Sequence, residues 1–304
     1  MEQPQGSAVE KREAKRQKVT IRQLQQMKAK GERIVALGVY ESVTASVADE
    51  IGFHIFMTGP SGPMSLFGHT NPTQISFEEQ LTTLRAVTRV ARYALINAHM
   101  PFLSYQASAR DAVLNAGRLV AEGGADTVKC DATHALAGNI RAIVESGIPV
   151  IAHIGLQASR RVEQSGYGLK GTTAEEAKRI IDDADALVEA GVFAFLVEHV
   201  CADVTALLTE RLPVPTISLG SGPHADGICI VSGDALNYSA FPRPAHVGQV
   251  VDLRATIERG LVEFARKVRD GSFPDNANAP HMSQEEQAAF LKIVAHDRTT
   301  TRSQ

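Results

Sequence analysis

Four ionisable residues interrupt or end short apolar runs, where the sequence otherwise predicts a buried core. They are Lys129, Asp131, His153 and Glu198. Burying such a group is costly unless it has a partner, so four of them in equivalent positions indicate one shared pocket. Titratable groups gathered in a pocket are typical of sites that bind charged substrates or transfer protons. Cys130 alternates with its two neighbours along the chain and is predicted to point away from this pocket, into the core.

Three further polar residues follow apolar runs in the same way, each in a segment rich in glycine or proline. They are Ser61 in Gly59–Met64, His99 in Asn97–Phe102, and Ser221 between Gly220 and Gly222. We expect these three, with Asp131, to contact a substrate.

The elements that must position these residues follow a repeat. Four times a helical segment ends in an acidic residue and then glycine, and a short apolar run follows; the glycines are Gly52, Gly124, Gly147 and Gly191. Glycine closes helices in the left-handed conformation because it has no Cβ. Apolar runs without alternation are typical of strands buried on both faces, so the repeat predicts a parallel sheet with helical crossovers.

Eight strands are predicted in this way. They are Ile34–Val39, His54–Thr58, Ala94–Ala98, Thr127–Lys129, Val150–Ile154, Ala194–Val197, Thr216–Leu219 and Ile228–Val231. Eight strand–helix units favour an α/β fold of the (β/α)8 TIM-barrel type, in which the active site lies at the C-terminal ends of the strands. An open doubly wound sheet is the alternative, but its Gly-x-Gly-x-x-Gly marker is absent from the sequence.

Three regions are predicted along the chain. Residues 1–18 form a disordered charged tail, 19–273 form the barrel with an N-terminal helix over Ile21–Lys30, and 274–304 form a C-terminal extension with a short helix after Ser283. The charged tail could be a basic arm, but acidic residues interrupt it, which favours a solvated terminus.

Composition excludes several classes of protein. Hydrophobic residues make up 44% of the 304 residues, which is enough for a large core. The net charge of −3 argues against a nucleic-acid partner, and no apolar stretch is long enough to span a membrane. Three scattered cysteines form neither a disulfide framework nor a zinc module. With a polar N-terminus that does not resemble a secretory signal, these features predict a cytoplasmic protein.

The strand ends also carry an ordered set of short motifs. They are Gly-x-Ser at 59–61, Gly68-His69, Ala-x-x-Pro-Phe at 98–102, Val-Lys-x-acid at 128–131, His-x-Gly-Leu at 153–156, Gly166-Tyr167, Glu198 and Asp226-Gly227. In this order, from about Val19 to Phe273, the sequence resembles the ketopantoate (3-methyl-2-oxobutanoate) hydroxymethyltransferase family. That family belongs to the phosphoenolpyruvate mutase/isocitrate lyase barrel superfamily.

The resemblance implies an enzyme that removes a proton from the carbon beside the ketone of a 2-oxo acid. The enolate then attacks a one-carbon unit carried by methylenetetrahydrofolate. Glu198 matches the family's proposed base, Lys129 and His153 match residues that contact the oxo acid, and Ser61 matches the serine of a Gly-Asp-Ser motif. A homo-oligomer is implied as well.

The chain departs from the family where the family binds Mg²⁺. Pro60 and His99 replace two aspartates, and Asp131 replaces a glutamate. Because Mg²⁺ prefers hard oxygen ligands in octahedral geometry, we expect a degraded magnesium site. His99 and Asp131 could hold a different metal instead, or no metal binds. Without a metal, Lys129 would offset the enolate charge or form a Schiff base with the ketone.

Three functions are therefore open at the level of sequence. The first is a family-like enzyme that forms or breaks a C–C bond in a 2-oxo acid. The second is a re-specialised aldolase, lyase, dehydratase or isomerase that acts on another carbonyl compound. The third is a non-catalytic paralogue. The persistence of Lys129, His153 and Glu198 favours an enzyme.

Overall fold

The chain folds into a closed barrel of eight parallel strands in which each strand pairs with its neighbours in sequence and β8 pairs with β1. The structure, a computed structural model, describes residues 16–239, 241–244 and 247–300. The strands are β1 Ile34–Gly38, β2 Ile55–Thr58, β3 Leu95–His99, β4 Thr127–Asp131, β5 Val150–Gly155, β6 Ala194–Glu198, β7 Thr216–Leu219 and β8 Gly227–Val231. The predicted TIM barrel is confirmed.

Helices connect most of the strands. They are α1 Ile21–Lys30, α2 Ser42–Ile51, α3 Ser61–Phe67, α4 Phe77–Thr88, α5 Ala109–Ala121, α6 Ala137–Glu145, α7 Ala174–Glu189, α8 Ala202–Arg211, α9 Ser232–Ala235, α10 Leu253–Arg269 and α11 Gln284–Thr300. The prediction of eight strand–helix units fails at one connection, since the described residues 220–226 between β7 and β8 contain no helix. Gly227 begins β8 so close to β1 that a Cβ there would lie 2.6 Å from the carbonyl oxygen of Ile34.

Two apolar layers stabilise the barrel. Ile55, Ile151 and Leu196 belong to the layer that fills the barrel interior, while Phe195 and Cys130 belong to the larger layer between strands and helices. Alternate residues of each strand therefore face opposite layers. Cys130 is fully buried on the helix side, as the alternation predicted.

The described part of the predicted N-terminal tail is ordered against the barrel. The Arg16 guanidinium donates to the carbonyl oxygens of Asp49 and Phe53 and lies 5.0 Å from the ring centroid of Tyr93. Lys18 forms an ion pair of 2.8 Å with Asp126. Residues 16–18 thus belong to the folded unit, and the rest of the predicted tail, 1–15, lies outside the described residues.

The contacts divide the chain into two compact units, Met1–Asp252 and Leu253–Gln304. The barrel belongs to the first unit. The second contains α10 and α11, and an edge-on contact of 5.4 Å between the rings of Phe264 and Phe273 lies within it. The division falls before α10, whereas the sequence placed the end of the barrel at residue 273. None of the described helices is long and apolar enough to cross a membrane.

Candidate active site

The four ionisable residues meet at the C-terminal mouth of the barrel because of strand register. Asp131 on β4 pairs with His153 on β5, and Gly155 pairs with Glu198 on β6. Since residues two apart on a strand share a face, Lys129 points to the barrel interior together with Asp131. All four side chains line one cavity of about 670 Å³.

His153 is the centre of the cluster. Its Nδ1 lies 2.8 Å from Oδ1 of Asp131 and 3.2 Å from Nζ of Lys129, while its Nε2 lies 2.9 Å from Oε2 of Glu198. The side chains of His153 and Asp131 are each 4% exposed, whereas that of Glu198 is 19% exposed. Glu198 is therefore the carboxylate of the cluster with the most access to the cavity.

The contacts of His153 favour its charged form. Burial and the neighbouring Lys129 lower its pKa, but the carboxylates of Asp131 and Glu198 outweigh both, and the pKa of His153 is raised. Burial alone would raise the pKa of Asp131, yet the surrounding histidines and Lys129 hold it well below its usual range. The His153 ring thus lies between two carboxylates, an arrangement that favours its charged form.

His99 lies next to Lys129 in the register of β3 and β4 and lines the same cavity. It is buried, and its Nδ1 has no hydrogen-bond partner among the described residues. Burial, followed by the charge of Lys129, lowers its pKa to about 3. His99 is therefore a neutral imidazole that presents an unpaired polar atom at the mouth of the barrel.

The two serines predicted to contact substrate lie in different places. Ser61 is the first residue of α3 and lines the cavity. Ser221 is buried and is absent from the cavity lining; its hydroxyl donates to the carbonyl of Val197 and accepts from the amide of Val200, both at 2.8–2.9 Å. Ser221 therefore joins the end of β6 to the loop after β7 and is not brought to the site.

Two residues that the sequence did not single out support Asp131. The Ser159 hydroxyl donates to Oδ2 of Asp131, and the Tyr105 hydroxyl donates to the main-chain oxygen of Asp131 at 2.8 Å. Ser159 lies in a 3₁₀ turn, Ala158–Arg160, directly after β5. No spacing rule predicts this contact, because it depends on the path of the loop.

The residues at the positions that the resemblance assigns to Mg²⁺ do not fit that ion. Pro60 offers no side-chain oxygen, His99 offers one nitrogen, and both carboxylate oxygens of Asp131 are engaged by His153 and Ser159. Mg²⁺ requires several hard oxygen ligands in octahedral geometry. Within the described residues, no three His, Cys, Asp or Glu side chains are grouped to hold a metal ion, so His99 and Asp131 lack a third ligand of these types.

Comparison with solved structures shows proteins of similar fold. Phosphonopyruvate hydrolase has a similar fold at 15% identity, with a TM-score of 0.56 over 93% of this chain and 97% of the other. Oxaloacetate acetylhydrolase is similar at 16% identity, with a TM-score of 0.53 over 83% and 96%.

Relatives found by sequence have a higher identity to this chain than these structures have. The 3-methyl-2-oxobutanoate hydroxymethyltransferase of Moorella thermoacetica is 41% identical over 88% of this chain and 99% of its own. That of Hyperthermus butylicus is 43% identical over 92% and 97%. A family model described as ketopantoate hydroxymethyltransferase matches residues 18–276. The chain therefore belongs to the ketopantoate hydroxymethyltransferase family.

Proposed function

We propose that this protein enolises a 2-oxo acid at the mouth of the barrel and forms or breaks a C–C bond at the carbon beside the ketone. The observation that carries the proposal is a cluster of three side chains centred on His153. Its Nε2 lies 2.9 Å from Oε2 of Glu198, and its Nδ1 lies 3.2 Å from Nζ of Lys129. The cluster combines a carboxylate that faces the cavity with two positive groups. This is what proton removal next to a carbonyl requires.

Each residue has one role in this reaction. The Glu198 carboxylate removes the proton from the carbon, and the electron pair of that C–H bond moves to the ketone oxygen. Lys129 and the His153 imidazolium offset the negative charge of the resulting enolate. Asp131 is a positioning residue, because its contact with Nδ1 fixes the ring of His153. Ser61 and His99 line the space in which the substrate carboxylate and ketone would lie.

The second reactant is a carbon electrophile. The family resemblance makes methylenetetrahydrofolate the first donor to test. The enolate carbon would bond to its methylene group as one of the two C–N bonds of that group breaks, and water would replace the second nitrogen, which releases tetrahydrofolate and leaves a hydroxymethyl group. Pro60 and His99 line the cavity at positions where the resemblance implies aspartates. This difference favours a second candidate, an aldolase, lyase, dehydratase or isomerase that carries out the same enolisation on a different carbonyl substrate.

Deuterium exchange tests the proposal directly. We expect the protein to exchange the C3 hydrogen of 3-methyl-2-oxobutanoate, or of another 2-oxo acid in a screen, in D₂O. Glu198→Gln should reduce the exchange rate by at least about a hundredfold, since general-base catalysis supplies that much. Glu210→Gln, an exposed glutamate on α8, is the matched control and should retain the rate. Absence of exchange with every 2-oxo acid would favour a non-catalytic paralogue.

We also propose that the protein forms a homo-oligomer, because the family resemblance implies one. Several apolar side chains of α10 are exposed, among them Leu261 at 62% and Phe264 at 52%. Exposed apolar side chains on one helix are compatible with an interaction face. Light scattering coupled to size exclusion would measure the mass, and a monomer at micromolar concentration would contradict this part of the proposal.

A further inference from the structure

Arg161 is an arginine of the cavity wall whose guanidinium is not paired with a carboxylate of the described residues. It lines the same cavity as Lys129 and is half-buried. Among the described residues, its guanidinium has no hydrogen-bond or ion-pair partner. Its main chain is fixed, because the amide of Gly166 donates to the carbonyl of Arg161 at 2.7 Å.

The neighbouring arginine shows the contrast. Arg160 donates to both carboxylate oxygens of Glu163, at 2.7 Å and 2.5 Å, and to the side-chain oxygen of Gln157 at 2.9 Å. The two consecutive arginines therefore differ in the partners of their guanidinium groups. One is satisfied by the protein, and the other is left with five free donors in a partly desolvated wall.

The charges of the cavity explain why Arg161 has no protein partner. The wall contains three carboxylates, those of Asp131, Glu198 and Asp234. The first two are bound to His153, and Asp234 lies in the field of Arg243. The wall that Arg161 shares with them also contains the apolar side chains Leu156 and Phe241. Within the part of the chain that the structure describes, no carboxylate of this wall contacts Arg161, so its guanidinium is available to an anionic ligand.

We propose that Arg161 binds a second carboxylate at the far end of the substrate, so that this protein acts on a dicarboxylic 2-oxo acid. The proposal rests on the proposed function, which places the ketone and the first carboxylate near Lys129. Guanidinium groups bind carboxylates through two parallel hydrogen bonds, which makes them specific for such an end group. A cavity of about 670 Å³ has room for a longer acid than 3-methyl-2-oxobutanoate.

The test compares acids that are matched in length. Exchange at C3 in D₂O is measured with 2-oxoadipate and 2-oxohexanoate, which differ only in the terminal carboxylate, and no one-carbon donor is added. We expect the wild type to have a KM about ten- to a hundredfold lower for the dicarboxylate, the ratio typical of a hydrogen bond to a charged group. Arg161→Met should abolish this preference, and Arg161→Lys should restore part of it. Arg110→Met, at an exposed arginine beside Asp111, is the control and should keep the wild-type ratio.

Two results would overturn the assignment. One is a wild-type KM ratio near unity, and the other is a ratio that Arg161→Met leaves unchanged. The second would also be the result if Arg161 contacted the donor instead. If no 2-oxo acid exchanges, the proposed function fails, but titration calorimetry with the same two acids still tests Arg161, because binding of the dicarboxylate does not require turnover.

Discussion

At the scale of single residues, the position of His153 between two carboxylates determines how the cluster responds to pH. In the proposed reaction the His153 imidazolium offsets the charge of the enolate, so we expect activity to decrease as pH rises through the pKa of His153. Asp131 raises that pKa through its contact with Nδ1 at 2.8 Å. Removing the charge of Asp131 should therefore move the alkaline limb of the pH profile to lower pH.

The corresponding variant is Asp131→Asn, which keeps the shape of the side chain. We expect the alkaline limb of kcat/KM for deuterium exchange to shift downward, and the maximal rate to fall by about tenfold or more as the ring loses its fixed orientation. Asp182→Asn, at an exposed carboxylate paired with Lys178, is the matched control. A lower rate with an unmoved limb would mean that Asp131 has only a structural role.

His99 makes a prediction about stability that does not depend on catalysis. Its pKa is about 3 in the folded protein, and about 6.5 is usual for an unfolded chain. Below pH 6.5 the unfolded state therefore binds more protons than the folded state. The contribution of His99 is complete above that pH and decreases as pH falls toward 3.

Denaturant unfolding can measure this difference. Between pH 8 and pH 5 the wild type should lose about 2 kcal/mol more unfolding free energy than His99→Asn, which cannot titrate in this range. Equal losses in the two proteins would show that His99 is solvated or already charged in the folded state.

The sequence predicted the members of the site better than their contacts. Ionisable residues in apolar strands are recognisable because burying a charge without a partner is costly. This property identified Lys129, Asp131, His153 and Glu198. Ser221 and Ser159 were not distinguishable on that basis. Ser221 bonds to main-chain groups and Ser159 supports Asp131, and the paths of two loops decide these contacts.

At the scale of elements, a buried carboxylate fixes α2 to the start of β3. Asp49 is 2% exposed, and its two oxygens accept the amides of Arg92, Tyr93 and Ala94 at 2.7–3.2 Å. The sequence showed Asp49 only as part of the acidic end of a helix. The structure shows that it satisfies three amides that precede a strand.

Removing this carboxylate should lower the stability of the fold, because the amide of Ala94 is buried and those of Arg92 and Tyr93 are partly buried. Asp49→Ala is expected to lower the free energy of unfolding by about 3 kcal/mol or more, and Asp49→Asn by less, since hydrogen bonds to a charged acceptor contribute about 1.5–3 kcal/mol each. Asp182→Ala, at an exposed residue of α7, should change it by no more than about 0.5 kcal/mol. Urea unfolding measures all three, and similar values for the two alanine variants would contradict the role given to Asp49.

Strand positions were predictable to within a few residues because buried strands and left-handed glycines leave strong signals. Gly52 and Gly191 have φ values of 111° and 91°, as helix-closing glycines require. The repeat of strands and helices predicts eight complete units, but only residues 220–226 lie between β7 and β8, and they form a loop. After this loop, β8 closes the barrel by the close packing of Gly227 against Ile34 of β1.

At the scale of the whole molecule, the chain forms a closed eight-stranded barrel, and the positions that the resemblance assigns to Mg²⁺ lie at three strand ends of that barrel. Three strand ends would each have to supply an oxygen to Mg²⁺. The end of β2 supplies Pro60, the end of β3 supplies His99, and the end of β4 supplies an Asp131 whose oxygens contact His153 and Ser159. The ion pairs of His153 thus occupy the carboxylate that a metal would need.

The dependence of thermal stability on Mg²⁺ tests this view. A ligand that binds only the folded state raises the melting temperature in proportion to the logarithm of its concentration over Kd. We expect millimolar Mg²⁺ to leave the melting temperature of the wild type unchanged, and EDTA to leave its exchange rate unchanged. The double variant Pro60→Asp/His99→Asp supplies two carboxylates at these positions, and its melting temperature should rise with the concentration of Mg²⁺. The melting temperature of the control variant Glu210→Asp/Asp203→Glu, with altered carboxylates on α8, should not depend on Mg²⁺. A Mg²⁺-dependent rise in the wild type would mean that Asp131 exchanges His153 for the metal ion, and the role of the imidazolium would then be wrong.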